Sequence, residues 1–360
     1  MSLDGILEQT EARRLLGTAL AEGPAHAYLF HGPPGVGKET AAKAFAAELL
    51  GSPTRIEHET HPDLFVLRPL GQMIRLEEIH RLHHDLHLRP FEVDRRVYVI
   101  LDAHLLNDEA ASALLKDLEE PPDYAIIVLV ADQIAAISPT IRSRCQPIAF
   151  RRLSTKAVRE AAARIAPGLT ATQQAALARV AAGRLDRLRW LVESQTDGRR
   201  DRLLAVARST YGEAEFDPTA AALAVLASAK ERARIEGDRT AEKAKDDGLT
   251  EKHHEKQVEQ MVSRAKFGAE REDVLGSLEE LATWYRDLLA IGVGAEVAVI
   301  NADQLDHLRE DALPERTAPA GQAAEAVQDT WRELERLNIA NQLALEALFV
   351  RVRRLLRPRG

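Results

Sequence analysis

His31-Gly32-Pro33-Pro34-Gly35-Val36-Gly37-Lys38-Glu39-Thr40 is a phosphate-binding loop with one letter changed. The pattern asks for Gly, four residues, Gly, Lys and then Ser or Thr. Gly32, Gly37 and Lys38 fit it. The hydroxyl position, whose oxygen holds Mg²⁺ in a working nucleotide hydrolase, is Glu39, and Thr40 comes one place late. Backbone N–H groups of such a loop cradle phosphate oxygens, and its Lys reaches the terminal phosphates. Gly32 to Thr40, with Pro33, Pro34, Gly35 and Val36 between the fixed positions, is therefore the candidate nucleotide-binding segment. The Glu39 carboxylate beside Lys38 disfavours a γ-phosphate. The expectation is ATP or ADP held weakly at most, with Mg²⁺ only alongside nucleotide.

The flanking pattern sets the fold class. Tyr28-Leu29-Phe30 is a short apolar strand running into the loop, and Thr40 to Leu50 reads as an Ala-rich helix. Leu64 to Leu67, Val97 to Leu101 and Ile126 to Val130 are further apolar runs, the last two continuous and so buried on both faces. Strands separated by helical patterns predict an α/β domain with a parallel sheet. Residues 152–199 read as short helices, a small lid-like domain. Residues 200–360 read as an all-α domain, with a charged segment at 229–272 expected to be a helix with a solvated face. Leu275 to Leu289 and Thr330 to Leu356 carry clean helical periodicity. The first domain is placed at residues 1–151.

Hydrolysis needs more than the loop. Mg²⁺ is also held by an Asp at the end of a neighbouring strand. The strand Val97 to Leu101 continues Leu101-Asp102-Ala103-His104, so Leu101 takes the metal-holding position, and an aliphatic side chain cannot coordinate Mg²⁺. Asp102 is read either as a residual metal ligand or as a cap for the following helix. The strand that should end in a γ-phosphate sensor ends Val130-Ala131-Asp132. Glu39, Leu101 and Ala131 thus damage one reaction at three places.

The gross numbers narrow the classes further. The chain has 360 residues, 45% hydrophobic and 4% aromatic, with a formal net charge of -8. That balance argues against a protein living directly on a phosphate backbone and favours protein partners. A single cysteine, Cys145, leaves no intramolecular disulfide and no Cys-rich metal site. No run of ~18 apolar residues predicts a membrane span, and the first residues show no secretion signal. The expectation is a cytoplasmic protein with no membrane contact.

Ala113-Leu114-Leu115-Lys116-Asp117-Leu118-Glu119-Glu120-Pro121-Pro122 closely resembles the Leu-Leu-Lys-x-Leu-Glu-Glu-Pro-Pro signature of bacterial clamp-loader AAA+ subunits of DNA polymerase III. Thr140-Ile141-Arg142-Ser143-Arg144-Cys145 is similar to their Ser-Arg-Cys motif. His26 to Phe30 and His61-Pro62-Asp63 resemble the same family. The resemblance is dense over roughly the first 150 residues. Beyond them, Asn338 to Leu348 is similar to the last helix of that family's collar.

The resemblance implies an AAA+ domain, a lid and a collar. It implies a ring shared with gamma/tau-type and delta-type subunits, acting through the complex on a sliding clamp and primer–template DNA. Within the family the gamma/tau branch hydrolyses ATP and the delta-prime branch carries a degraded site, so the damage here points to the delta-prime type, a stator. The alternative is a gamma/tau-like motor in which Thr40 and Asp102 replace the missing ligands. The resemblance also makes Arg144, flanked by Ser143 and Cys145, an arginine finger offered to a neighbour's ATP. Arg142 is then a local pair and Cys145 a small buried hydrophobe. Arg187 falls near the family's lid-domain sensor arginine. The family's four-cysteine zinc module has no counterpart in Gly51 to His61, so no zinc is expected.

His80, His83, His84 and His87 are spaced along one helical side, which metal ligands can use. Ile79, Leu82, Leu86 and Leu88 form the apolar face beside them, and the histidines are read as flanking that face. No metal site is expected.

Overall fold

The computed structural model describes residues 2–69, 73–246, 255–336 and 339–357. They form two compact units, Met1–Ala161 with Ala182–Asp186, and Ala162–Ala181 with Arg187–Gly360. The limits at 151 and 199 expected from the sequence do not coincide with these.

The first unit contains a five-stranded parallel sheet of order β2-β3-β4-β1-β5. The strands are β1 (Ala27–His31), β2 (Leu64–Leu67), β3 (Arg96–Ile100), β4 (Ala125–Ala131) and β5 (Gln146–Ala149). Helices α1 (Thr10–Glu22), α2 (Lys38–Leu50), α3 (Pro53–Glu57), α4 (Leu76–Leu86), α5 (Asp108–Glu119) and α6 (Pro139–Arg142) belong to it. Successive strand side chains point to opposite faces, and the two faces meet different helices. Tyr28, Phe30, Val97, Val99, Val128 and Ile148 pack with Leu16, Phe45 and Leu50 on one side. Leu29, Tyr98, Ile100, Ile127 and Leu129 pack with Ile79, Leu82, Leu114 and Leu118 on the other. That double burial explains the continuous apolar runs.

Four of the five strands stand where the apolar runs predict them. β5 does not announce itself: Gln146 and Ala149 are exposed, and only Ile148 enters the core. It is an edge strand, and Pro147 is tolerated there because an edge leaves one side of the ladder unpaired.

The second unit is helical. Its helices are α7 (Thr155–Ile165, in part), α8 (Ala171–Val180), α9 (Leu185–Thr196, from Arg187), α10 (Arg199–Gly212), α11 (Pro218–Asp246), α12 (Glu255–Gly292), α13 (Leu305–Asp311), α14 (Pro314–Arg336) and α15 (Asn341–Leu356). α12 packs on α11 and α14, and α15 closes the set by packing on α14 and α11. Leu278, Leu281, Tyr285 and Leu288 follow the three–four spacing of a bundle seam and are buried. The charged segment 229–272 is helical on both described sides; residues 247–254 within it lie outside the described residues, as does Asn338. Among the described residues no helix is long and apolar enough to cross a membrane.

A buried ionic lattice ties α9 and α10 to α12. The Arg187 guanidinium donates to Glu280 and, at 2.8 Å, to the Gly276 carbonyl, and it lies 4.7 Å from the Trp190 ring centre. Arg200 donates to the other oxygen of Glu280 at 2.6 Å. Trp190 Nε1 donates to Asp273 at 3.1 Å, and Arg199 pairs with the same carboxylate. These bonds hold α9 against α12 within the helical unit.

Candidate functional site

The loop between β1 and α2 lies at the C-terminal ends of the strands, where parallel α/β sheets place their ligands. Its shape depends on glycine. Gly32 has φ +146°, and a Cβ there would sit 2.2 Å from the Phe150 carbonyl oxygen. Gly35 has φ +69°, and a Cβ there would meet the Asp186 carboxylate at 1.7 Å. Leu185 N–H donates to the Gly35 carbonyl at 2.7 Å. Val36 is buried, and Gly37 is left-handed at φ +94° and opens α2.

Lys38 is turned inward. It is 5% exposed, and its Nζ donates to the carbonyls of Gly32 (2.8 Å) and Pro33 (2.5 Å). The same ammonium lies 2.8 Å from Asp132 Oδ1. Glu39 is equally engaged, 3.0 Å from Lys43 and 2.7 Å from Arg68. Both cations also hold Glu59, Lys43 at 2.7 Å and Arg68 at 2.6 Å. Burial alone would raise the Glu59 carboxyl; the hydrogen bonds and charges of Arg68 and Lys43 outweigh it and hold the group at about 2. Thr40, one position further, is exposed.

Leu101 and Ala131 are buried apolar residues, 5% and 1% exposed. Asp102 is left-handed at φ +49° and accepts no capping bond through its side chain. Burial pushes its carboxyl up; His104 opposes this, Asp132 and Glu39 add to it, and Lys38 opposes it. Asp102, His104 and Asp132 offer ligand atoms within 4.8 Å of one another. This set does not suit Mg²⁺, which wants oxygen donors in octahedral array. Lys38 already supplies a positive charge on Asp132, and Glu39 is paired with Lys43 and Arg68.

Arg144 stands at the opposite end of the sheet. Register pairs Tyr28 with Gln146 and His31 with Ala149, so Arg144 precedes the N-terminal end of β5 while the loop follows the C-terminal end of β1. Three strand steps, ~10 Å, separate Gln146 from the loop end. The guanidinium pairs with Glu119 at the close of α5 and donates to the Thr140 carbonyl at 3.0 Å. Both side chains are partly exposed. Ser138 caps α6 by accepting from Ile141 N–H at 3.3 Å, and Ser143 Oγ donates to the Thr140 carbonyl at 2.9 Å. This tight turn presents Arg144. Cys145 is buried, and burial pushes its thiol up to about 12, so it stays protonated and packs as an apolar side chain.

The structure therefore gathers Gly32, Lys38, Glu39 and Asp102 at one end and Ser143, Arg144 and Cys145 at the other. Within the helical unit the Arg187 guanidinium pairs with Glu280. Sequence reading missed the Glu39–Arg68–Glu59–Lys43 lattice, Asp186 against Gly35, and Glu119 as the partner of Arg144. No spacing rule joins Glu39 to Glu59 or Glu119 to Arg144, since each pair meets only in the folded sheet.

Residues 8–154 match the family described as DNA polymerase III, delta subunit. Over 147 residues the chain is 35% identical to the DNA polymerase III subunit delta' of Bacillus subtilis, covering 38% of this chain and 45% of that protein. Over 136 residues it is 35% identical to the subunit delta' of Pseudomonas aeruginosa, covering 34% and 42%. Similarity to the Bacillus subtilis subunit tau is 30% over 168 residues, covering 43% and 30%. The chain spans less than half the length of these curated relatives.

Proposed function

We propose that this chain is a non-hydrolysing clamp-loader subunit that lends Arg144 to a neighbour's nucleotide, a reading supported by the match of residues 8–154 to the family described as DNA polymerase III, delta subunit. Its partners are gamma/tau-type and delta-type subunits in a hetero-oligomeric ring, which reaches the sliding clamp and primer–template DNA as a complex. The chain acts as a stator in the cytoplasm, and its own nucleotide site is vestigial.

One observation carries this reading: Arg144 and the phosphate loop stand at opposite ends of the same parallel strands. The Arg144 guanidinium pairs with Glu119 and the Thr140 carbonyl and not with the chain's own loop, which supports a phosphate of another molecule as its ligand. A planar, permanently charged fork is the group that stabilises a transferring phosphoryl. A partly exposed pair with Glu119 is worth ~0–1 kcal/mol, so Arg144 can exchange that carboxylate for phosphate at little cost.

The other end supports the same reading. Receiving a nucleotide would require Lys38 to leave two carbonyls and Asp132. It would also bring phosphate toward the carboxylates of Asp132, Asp102 and Glu39. Titrating Mg²⁺-ATP and Mg²⁺-ADP into the full chain by calorimetry tests this half of the proposal. The expected result is no saturable binding at micromolar nucleotide and no turnover. Tight, Mg²⁺-dependent binding that is lost in Lys38→Ala would contradict it and favour a motor subunit.

A further inference from the structure

α4 and α5 lie side by side on the sheet face opposite α2, and their contact carries donors that phosphate chemistry does not use. His83 and His87 are one turn apart at the end of α4, so they share one side of it. Their rings meet edge to face with centres 4.6 Å apart. From α5, Asp117 brings Oδ1 to 2.6 Å from His83 Nδ1. One ligand atom from each of the three residues lies within 4.8 Å of the other two.

We propose that His83, His87 and Asp117 form a binding site for a divalent transition-metal ion, Zn²⁺ being the best match. Helix spacing alone supplies only the two imidazoles, and the third donor arrives from a different helix. Asp117 is 2% exposed, and its second oxygen, Oδ2, is buried without a hydrogen-bond partner. A buried carboxylate oxygen left unpaired is costly, and a cation bound beside it removes that cost. Atoms bound to one Zn²⁺ stand about 2.0–2.2 Å from it. Binding replaces the direct His83–Asp117 hydrogen bond at 2.6 Å, because two ligand atoms of one tetrahedral ion stand further apart than that.

The donor chemistry selects the ion. Two imidazole nitrogens and one carboxylate oxygen suit Zn²⁺ and its neighbours, whereas Mg²⁺ and Ca²⁺ take oxygen. Three protein ligands leave a fourth position for water. Asp117 occupies the variable position of Leu-Leu-Lys-x-Leu-Glu-Glu, so the site belongs to this chain and not to the signature. Its place between α4 and α5 makes it a clasp across two helices that pack on the same core. It stands independently of the clamp-loader proposal.

Zn²⁺ titrated into the chelator-stripped full chain, against a chromophoric competitor, tests the site, with Co²⁺ as a spectroscopic probe of ligand geometry. One tightly bound equivalent is expected. His83→Gln and His87→Gln, both at exposed positions, should each weaken it by at least about 10–100-fold, the loss that removal of even an outer-shell partner causes. Asp117→Asn should weaken it as well, with circular dichroism confirming that the variant is folded. His84→Gln, an exposed neighbour outside the set, and His104→Gln, in the other imidazole–carboxylate group, should leave it unchanged. The proposal is overturned if no equivalent binds at micromolar Zn²⁺, if binding survives both His83→Gln and His87→Gln, or if His84→Gln or His104→Gln abolishes it.

Discussion

At the C-terminal ends of the strands, Lys38 is held by two carbonyls and a carboxylate, and Glu39 by two cations. At the N-terminal ends, Arg144 is held by one partly exposed glutamate and a carbonyl. The two ends differ in how many partners hold each charge: Lys38 is buried among three acceptors, whereas the one carboxylate that Arg144 meets is partly exposed. On the proposed reading, a phosphate loop serves here as a structural turn. Its glycines and its lysine still shape the first turn of α2, which packs into the core.

Substitutions can break or sharpen this contrast. The largest effect is expected at Gly32→Ala, where the new Cβ would meet the Phe150 carbonyl at 2.2 Å and the backbone sits at φ +146°. Overpacking and backbone strain each cost ~1–3 kcal/mol. Denaturant unfolding should show a loss of about 3 kcal/mol even though no nucleotide is involved. A neutral result would mean that the loop does not support the fold.

Acid comes next. The Glu59 carboxyl is held at about 2 in the folded protein against 4.5 for the free group, so its contribution is fully present above 4.5 and is lost as pH falls through about 2. The amount is on the order of 2–3 kcal/mol. Urea midpoints of the native chain and Glu59→Gln, measured from pH 7 to pH 2.5, should converge as pH falls. Parallel curves would show that the lattice around Glu39 contributes no linked stability.

The smallest effect is expected at the other end. Glu119→Ala removes only a surface partner, and stability should change by less than ~1 kcal/mol. A loss of several kcal/mol would mean that Arg144 is fixed in place and unable to reach a neighbour.

The sheet was largely legible because doubly buried strands such as Val97 to Leu101 have no polar face to disguise them. β5 was not, since Gln146 and Ala149 are exposed and Pro147 argues against a strand. In the helical unit, the pairing of Arg187 with Glu280, 93 residues away, has no local sequence signal. The departures of Glu39 and Leu101 from the phosphate-loop and strand-end patterns are legible letter by letter. That Asp132 would occupy Lys38, and that Arg68 would claim Glu39, depends on how β4 and β2 lie beside β1 and α2, which only the fold decides.

The central claim is that Arg144 completes another subunit's active site. DNA-stimulated ATP hydrolysis by a reconstituted clamp loader, containing either the native chain or Arg144→Ala, tests it most directly. An arginine acting on a transferring phosphate is worth ~10³–10⁵ in rate. With several sites in one ring, we predict at least a tenfold fall while size-exclusion chromatography shows the complex intact, and no rescue by Arg144→Lys. Unchanged hydrolysis by the intact Arg144→Ala complex would contradict the account and leave Arg144 as the surface partner of Glu119.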